Sequence, residues 1–389
     1  MRKVDKLVVA SLLCSAVVGN LFMLVAWWPI AALVPLAFVG SLKYEGAKRL
    51  FVFCSLFALG TAILLSFKTP YGGWDAVTFW NYKAGSLYLG DWRSTAGDID
   101  HPLLIPSLIA IVWRFLGAQS PAVPAFIAIG FGIGVVALIV QSLRKFRSTD
   151  AALLAGATLL LAPTFVIQTA SQYADVPLAL LILATLALII RGKDALAGFT
   201  AGLAALTKNE GSLFIVAFLV AVILVQRSFR QLCKILCGLA PPLTILIWFK
   251  VSIAPRNLVL SSPRVTDGLL DSSRYLLILC AFLTEILNVS NWGPALVALL
   301  LLPLLGIKVD AELKSGIAIG VIILGIMLAG YFVVYLITPL DLKMHLGTSL
   351  NRLLMQLLPT AVVLLFLALR LPEKGSLDEI AFGDVEPSI

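Results

Sequence analysis

Long apolar runs recur along this chain, separated by short polar connections and rarely interrupted by charge. Lipid offers the backbone no hydrogen-bond partner, so a run of about 20 apolar residues crosses a bilayer as a helix. Of the 389 residues, 60% are hydrophobic and 13% are charged. Soluble domains carry about 25% charge, so a water-soluble globule is excluded. The pattern predicts an all-α, polytopic membrane protein. Its spans are expected at 7–26, 28–42, 50–67, 122–142, 151–168, 178–190, 195–206, 211–226, 235–250, 294–307, 315–337 and 359–371, about 12 transmembrane helices in all.

Two kinds of connection alternate between the spans. One kind is short and basic: KYEGAKR (43–49), RKFR (144–147), RGK (191–193), RSFRQLCK (227–234) and KVDAELK (308–314). The other is longer and mixes aromatics, prolines and acids: 68–121, 168–177, 251–293 and 338–358. The positive-inside rule puts the basic connections and both termini in the cytoplasm and the mixed loops outside. The net charge of +8 then records orientation and calls for no nucleic-acid partner. Residues 1–371 read as one transmembrane domain that opens with an N-terminal helical hairpin (1–49), and 372–389 as a polar cytoplasmic tail. MRKVDK and the apolar stretch after it imitate a signal peptide, but that stretch runs on to Trp27 without a cleavage site and reads as a retained span. Two stretches, 101–117 and 274–288, are too broken by polar groups to span. They are expected as helices in the outer interface. The five cysteines sit in or beside apolar runs as small hydrophobes, without zinc spacing.

Ionisable residues near membrane depth are costly and point to function. LTKNEG (206–211) lies between two short arms whose far ends are cytoplasmic, so Lys208, Asn209 and Glu210 form the outward tip of a hairpin. This tip is either a capped turn with a local Lys–Glu pair or a phosphate anchor centred on Lys208. QYADVP (172–177) puts Asp175 ahead of a span, where it serves as an ordinary helix start or as a site residue. In the first outer loop, helical spacing places Asp75, Phe79 and Tyr82 on one face. Asp98, Asp100 and His101 stand together in GDIDHP, suited either to a divalent cation or to capping helix 101–117. The last outer loop carries His345 and Arg352, and a buried arginine there calls for an anion. Arg274, in the third mixed loop, is a further anion-seeking group. Acids and bases thus gather on the outer face, as a site that holds a phosphate and removes a proton requires.

In order along the chain, GGWDAVTFW, HPLLIP, QYADVP and LTKNEG resemble the GT-C superfamily of membrane glycosyltransferases. They are most similar to its bacterial branch of protein O-mannosyltransferase-like and lipid A aminoarabinose transferase-like enzymes. The resemblance covers roughly 50–250 and resumes in TPLDLKMHLGTSLNRLLMQLLP (338–359). It implies a GT-C-like fold in a bacterial inner membrane, with the active site facing the periplasm. It also implies inverting transfer of a sugar from a polyprenyl-phosphate donor to a glycan or lipid acceptor. By the same resemblance Asp75 is the general base or holds the acceptor, and Asp98 and Asp100 are a metal-associated acidic motif, which the neighbouring His101 would extend into a site for Mg or Mn. Lys208 and, by position, Arg352 hold the lipid phosphate, with His345 and Arg274 as further donor-side candidates. Asp175, Asn209, Glu210 and Tyr82 are left as substrate-binding or structural. The rival reading is a transporter or flippase of a lipid-linked or anionic substrate. Its expected marks are an inverted repeat and broken helices at mid-depth, and no repeat is visible. A non-catalytic assembly partner is a third reading. No HExxH occurs to support an intramembrane protease.

Overall fold

The computed structural model describes residues 41, 44–91, 100–257 and 265–370. The expected span 7–26, nearly all of 28–42, the tail 372–389 and Asp98 lie outside the described residues.

Helix α1 (Gly46–Lys68) is followed by a π turn (Ala76–Trp80) that runs into α2 (Asn81–Tyr88). Then come α3 (Leu104–Leu116), α4 (Ala122–Leu143), α5 (Thr149–Leu160) and α6 (Pro163–Ala170). The middle of the chain holds α7 (Asp175–Ile190), α8 (Asp194–Thr207), α9 (Glu210–Gln226) and α10 (Phe229–Ser252). The last part holds α11 (Val265–Leu270), α12 (Ser272–Ile286), α13 (Val289–Leu301), α14 (Lys314–Ile337) and α15 (Leu342–Ala368). The described residues contain no β-structure beyond one bridge, Ile307 to Leu369. Among them, 5 helices are long and apolar enough to cross a membrane, or up to 7 if each bent pair is one span. Helices α7, α8 and α9 are shorter apolar helices packed inside the bundle, so the protein is multi-pass with part of its apolar length buried on itself.

Three segments differ from expectation for identifiable reasons. The run 151–168 is a bent pair, α5 and α6, turned by 68°. The break falls at Ala162, whose extended backbone (φ −87, ψ 108) precedes Pro163, and a residue before proline avoids the helical region. The interfacial helix expected at 274–288 pairs instead with α13 at 69° as a broken span or re-entrant loop. Asn288 opens α13 by accepting a hydrogen bond from the Ser290 amide. The third case is 338–358, expected as a loop and helical from Leu342 onward. The Asp341 carboxylate accepts from the Met344 amide at 2.8 Å and caps the helix. Pro359 removes one hydrogen bond without breaking α15, which is mostly buried across its length.

Helix α3 has the amphipathic form expected of an interfacial helix. Ile105, Ile109, Ala110 and Trp113 are buried, while Ile111, Phe115 and Leu116 face outward. At the opposite end of the bundle the RKFR segment has a structural role. Arg147 is buried, pairs with Asp310 at 2.5 Å and donates to the carbonyls of Phe366 and Leu367. Its guanidinium fastens the last turn of α15, whose carbonyls have no intrahelical partner.

Candidate active site

Two backbone turns meet at the N-terminal end of α7. Gly72, at φ +79, adopts a left-handed conformation that suits glycine, and a side chain there would strike the Ser171 carbonyl. A side chain on Gly73 would strike the Tyr173 hydroxyl. The Gly73 amide donates to Ser171 O at 3.0 Å. On the facing turn Gln172 is held at φ 60, a costly conformation for a residue with a side chain. Its amide donates to Pro70 O (3.0 Å) and accepts from Asn81 (3.1 Å). The two glycines and this strained glutamine lock the Asp75 loop onto the start of α7.

That lock brings Asp75 to Arg352. The Arg352 guanidinium meets Asp75 Oδ2 at 2.5 Å and Asp175 Oδ2 at 3.0 Å, and lies 4.5 Å from the centre of the Tyr173 ring. The other oxygen of Asp175 accepts from Lys208 at 2.8 Å and from Gln356 at 2.5 Å. Lys208 also reaches Glu210 Oε1 at 2.8 Å. Tyr331 donates to Gln356 at 2.8 Å and fixes its amide. Asp175 is fully buried and Lys208 is 5% exposed. One continuous chain of ion pairs therefore runs Asp75–Arg352–Asp175–Lys208–Glu210. Removing one member of a buried pair costs about 3–5 kcal/mol, because the partner is left without compensation.

A second cluster adjoins it through Asn209, which donates to Asp100 Oδ1 at 2.8 Å. Lys250 donates to Asp100 Oδ2 at 2.6 Å and to Asn209 Oδ1 at 2.7 Å, and Asn257 donates to Asp100 Oδ2 at 3.1 Å. Burial alone would raise the Asp100 carboxyl. The Lys250 ammonium and the two amides outweigh it and hold the group below its usual range. Lys83 is buried and donates to His101 O at 2.9 Å, and burial pushes its ammonium down to about 8. The His101 ring stacks on Trp80 at 5.0 Å, and burial holds it neutral, at about 4.

The structure thus joins Asp75, Asp175, Lys208, Asn209, Glu210, Arg352, Asp100 and His101 into one region. The remaining candidates stand apart from the ion-pair chain. His345 bonds Thr338 at 3.0 Å and packs edge-on to Tyr335. Arg274 donates to Tyr335 O and Thr338 O, closing the end of α14. Tyr82 is 56% exposed. A π turn advances less per residue than an α turn, so the one after Asp75 rotates Tyr82 about a quarter turn off the shared face.

A divalent cation was expected at Asp98, Asp100 and His101. Asp98 lies outside the described residues, and no group of three metal-ligating side chains stands together among those described. Both Asp100 oxygens are engaged by an ammonium and amide hydrogens. A cation would have to displace Lys250, so the described donor set does not fit one.

Four contributors escaped the sequence reading: Lys83, Lys250, Tyr173 and Gln356. Lys250 ends an apolar run and reads as a span boundary. Gln356 lies four residues beyond Arg352, a one-face spacing that appears only once 342–368 is taken as a helix.

A sequence profile of the family described as dolichyl-phosphate-mannose-protein mannosyltransferase matches residues 100–250. This stretch includes Asp100, His101, Asp175, Lys208–Glu210 and Lys250. The structure of the chain is similar to the crystal structure of ArnT from Cupriavidus metallidurans bound to undecaprenyl phosphate, with a TM-score of 0.53 at 16% identity. That alignment covers 80% of this chain and 59% of ArnT. The ArnT apo state gives a TM-score of 0.52 at 16% identity, covering 80% and 58%. The fold is that of the GT-C membrane glycosyltransferases. The chain spans about three fifths of the length of these GT-C structures. A search of curated protein sequences finds no match. Two members of the ion-pair chain, Asp75 and Arg352, lie outside the profile match and are joined to it only by the fold.

Proposed function

We propose that the protein transfers a sugar, with inversion, from a polyprenyl-phosphate carrier to a glycan or lipid-linked acceptor. The observation that carries this is the placement of Asp75 and Lys208 on the same ion-pair chain, with Arg352 between them. A candidate proton acceptor and two phosphate-seeking cations share one network of contacts. The GT-C fold and the undecaprenyl phosphate bound by ArnT support a lipid-phosphate donor.

In this reading the donor phosphate enters between Arg352 and Lys208. Both cations are pre-aligned by Asp175, which keeps them in place while neutralising them in the absence of donor. Competition by the phosphate for the guanidinium releases Asp75 from its 2.5 Å contact. Asp75 then takes the acceptor hydroxyl proton while that oxygen bonds the anomeric carbon and the bond to the phosphate oxygen breaks. Arg352 and Lys208 stabilise the charge that develops on the departing phosphate. No step is routed through a metal.

The site lies at the ends of α7 and α8 opposite the basic segments at 191–193 and 227–234. The positive-inside rule therefore supports an active site on the outer face of an inner membrane, with cytoplasmic termini. The test is Asp75→Asn in detergent, with transfer of mannose from undecaprenyl phosphate mannose to membrane glycolipid as the readout. Turnover is expected to fall at least about a hundredfold with folding intact. Near-normal transfer would overturn the assignment.

A further inference from the structure

Among the buried polar atoms of the site that have no hydrogen-bond partner among the described residues are Glu210 Oε2 and His101 Nδ1. Glu210 spends its other oxygen on Lys208 at 2.8 Å. The tip that carries it is tied to the segment carrying His101, because Asn209 bonds Asp100. The charge of Glu210 also acts on the His101 ring, which places the two groups near each other.

An unmatched buried acceptor is costly and asks for a donor. A carboxylate oxygen accepts only, whereas the Nδ1 of a neutral imidazole accepts or donates according to its tautomer. A phosphate would bring further acceptors, and the negative charge of Glu210 would repel it. A divalent cation would find no third ligating side chain among the described residues. What fits is a ligand that presents O–H donors on a short rigid frame. Lys208, the neighbour of Glu210 in the chain and in the ion pair, is the residue assigned above to the donor phosphate. A sugar ring attached to that phosphate begins one bond away.

We infer that Glu210 Oε2, with His101 beside it, receives hydroxyl groups of the sugar on the lipid-phosphate donor. The assignment rests on the proposed role of Lys208. It gives Glu210 a task distinct from that of Lys208: recognising that the carrier is loaded.

The experiment measures binding to the full detergent-purified chain of undecaprenyl phosphate and of its mannosyl, glucosyl and galactosyl forms. Wild type, Glu210→Gln and Glu210→Asp are compared. Wild type is expected to bind at least one sugar-bearing form about tenfold more tightly than the bare lipid phosphate, as one or two charge-assisted hydrogen bonds allow. Glu210→Gln is expected to reduce that preference to within about twofold. Its affinity for bare lipid phosphate stays equal or improves, since a carboxylate competing for Lys208 is gone. Glu210→Asp, with the carboxylate withdrawn by one methylene, reduces the preference while keeping the charge. Both variants retaining the full preference would overturn the inference and leave the proposed function standing. Both variants losing bare lipid phosphate to the same extent as the loaded forms would also overturn it, making Glu210 a support for Lys208. A wild type that prefers no sugar-bearing form, and transfers from none, would refute the proposed function and this inference with it.

Discussion

Lys208→Met removes one charge from the middle of the buried chain while nearly keeping side-chain length. Wild type sets the carboxylates of Asp75, Asp175 and Glu210 against the cations Lys208 and Arg352. The variant leaves the same three acids against the Arg352 guanidinium. Lys208 makes two contacts at 2.8 Å. At an effective dielectric of about 20, a charge pair is worth about 4 kcal/mol at 4 Å, so gross loss is about 8 kcal/mol or more. Relief of the desolvation of the ammonium returns several kcal/mol, and the net cost is about 3–5 kcal/mol. Melting of the protein in detergent micelles at neutral pH reads this loss. The loss is expected to shrink by about 1–3 kcal/mol when Glu210→Gln is added, because the double variant no longer holds the carboxylate that Lys208→Met leaves unpaired. A melting temperature within about a degree of wild type, or single costs that simply add in the double variant, would refute the account of the chain as a coupled charge network.

Further predictions concern the periphery of the site and the far end of the bundle. His101 is held at about 4 against 6.5 for a free imidazole, so between those values the unfolded chain binds a proton that the folded chain refuses. Stability is therefore expected to fall as pH drops from 6.5 to 4, and His101→Gln should flatten that part of a melting-temperature profile; an unchanged slope would count against burial as the cause. Arg147→Ala should cost about 3–5 kcal/mol by stranding Asp310 and the carbonyls at the end of α15, read by thermal unfolding with transfer chemistry at the remaining folded sites intact. Chelation with EDTA should leave transfer within about twofold of its starting rate, because Lys250 and Asn209 already satisfy Asp100. A large loss restored by Mg or Mn would instead return Asp98, Asp100 and His101 to the role of a cation site.

Much of the fold was legible because the bilayer leaves so few choices. Sparse charge and repeated apolar runs determine an all-helical membrane protein. The LTKNEG hairpin, an amphipathic helix within 101–117 and the helix start at Asp175 follow from local signals, and the structure has all three. Local hydropathy misleads where a proline sits in the run. Pro163 bends a run that hydropathy reads as straight, whereas Pro359 sits within a helix whose polar first half resembles a loop. Hydropathy counts side chains one at a time and does not register that Arg352 and Gln356 turn the same way into a buried site.

The chemistry-bearing residue types were visible in the sequence because ions are rare and expensive in an apolar chain. Their partnerships were not. Asp75 and Arg352 lie 277 positions apart and Lys208 and Asp175 lie 33 apart, yet they form one chain of contacts. Nothing in local spacing encodes which acid neutralises which base. That choice is made when α7, α8, α9 and α15 pack together and each buried charge must find an opposite charge or remain unpaired at high cost. The sequence by itself determined that charged groups would gather at one end of a helical membrane bundle. The tertiary structure alone decided that Asp175 would hold both cations, that Tyr82 would turn away, and that one oxygen of Glu210 would be left without a partner among the described residues.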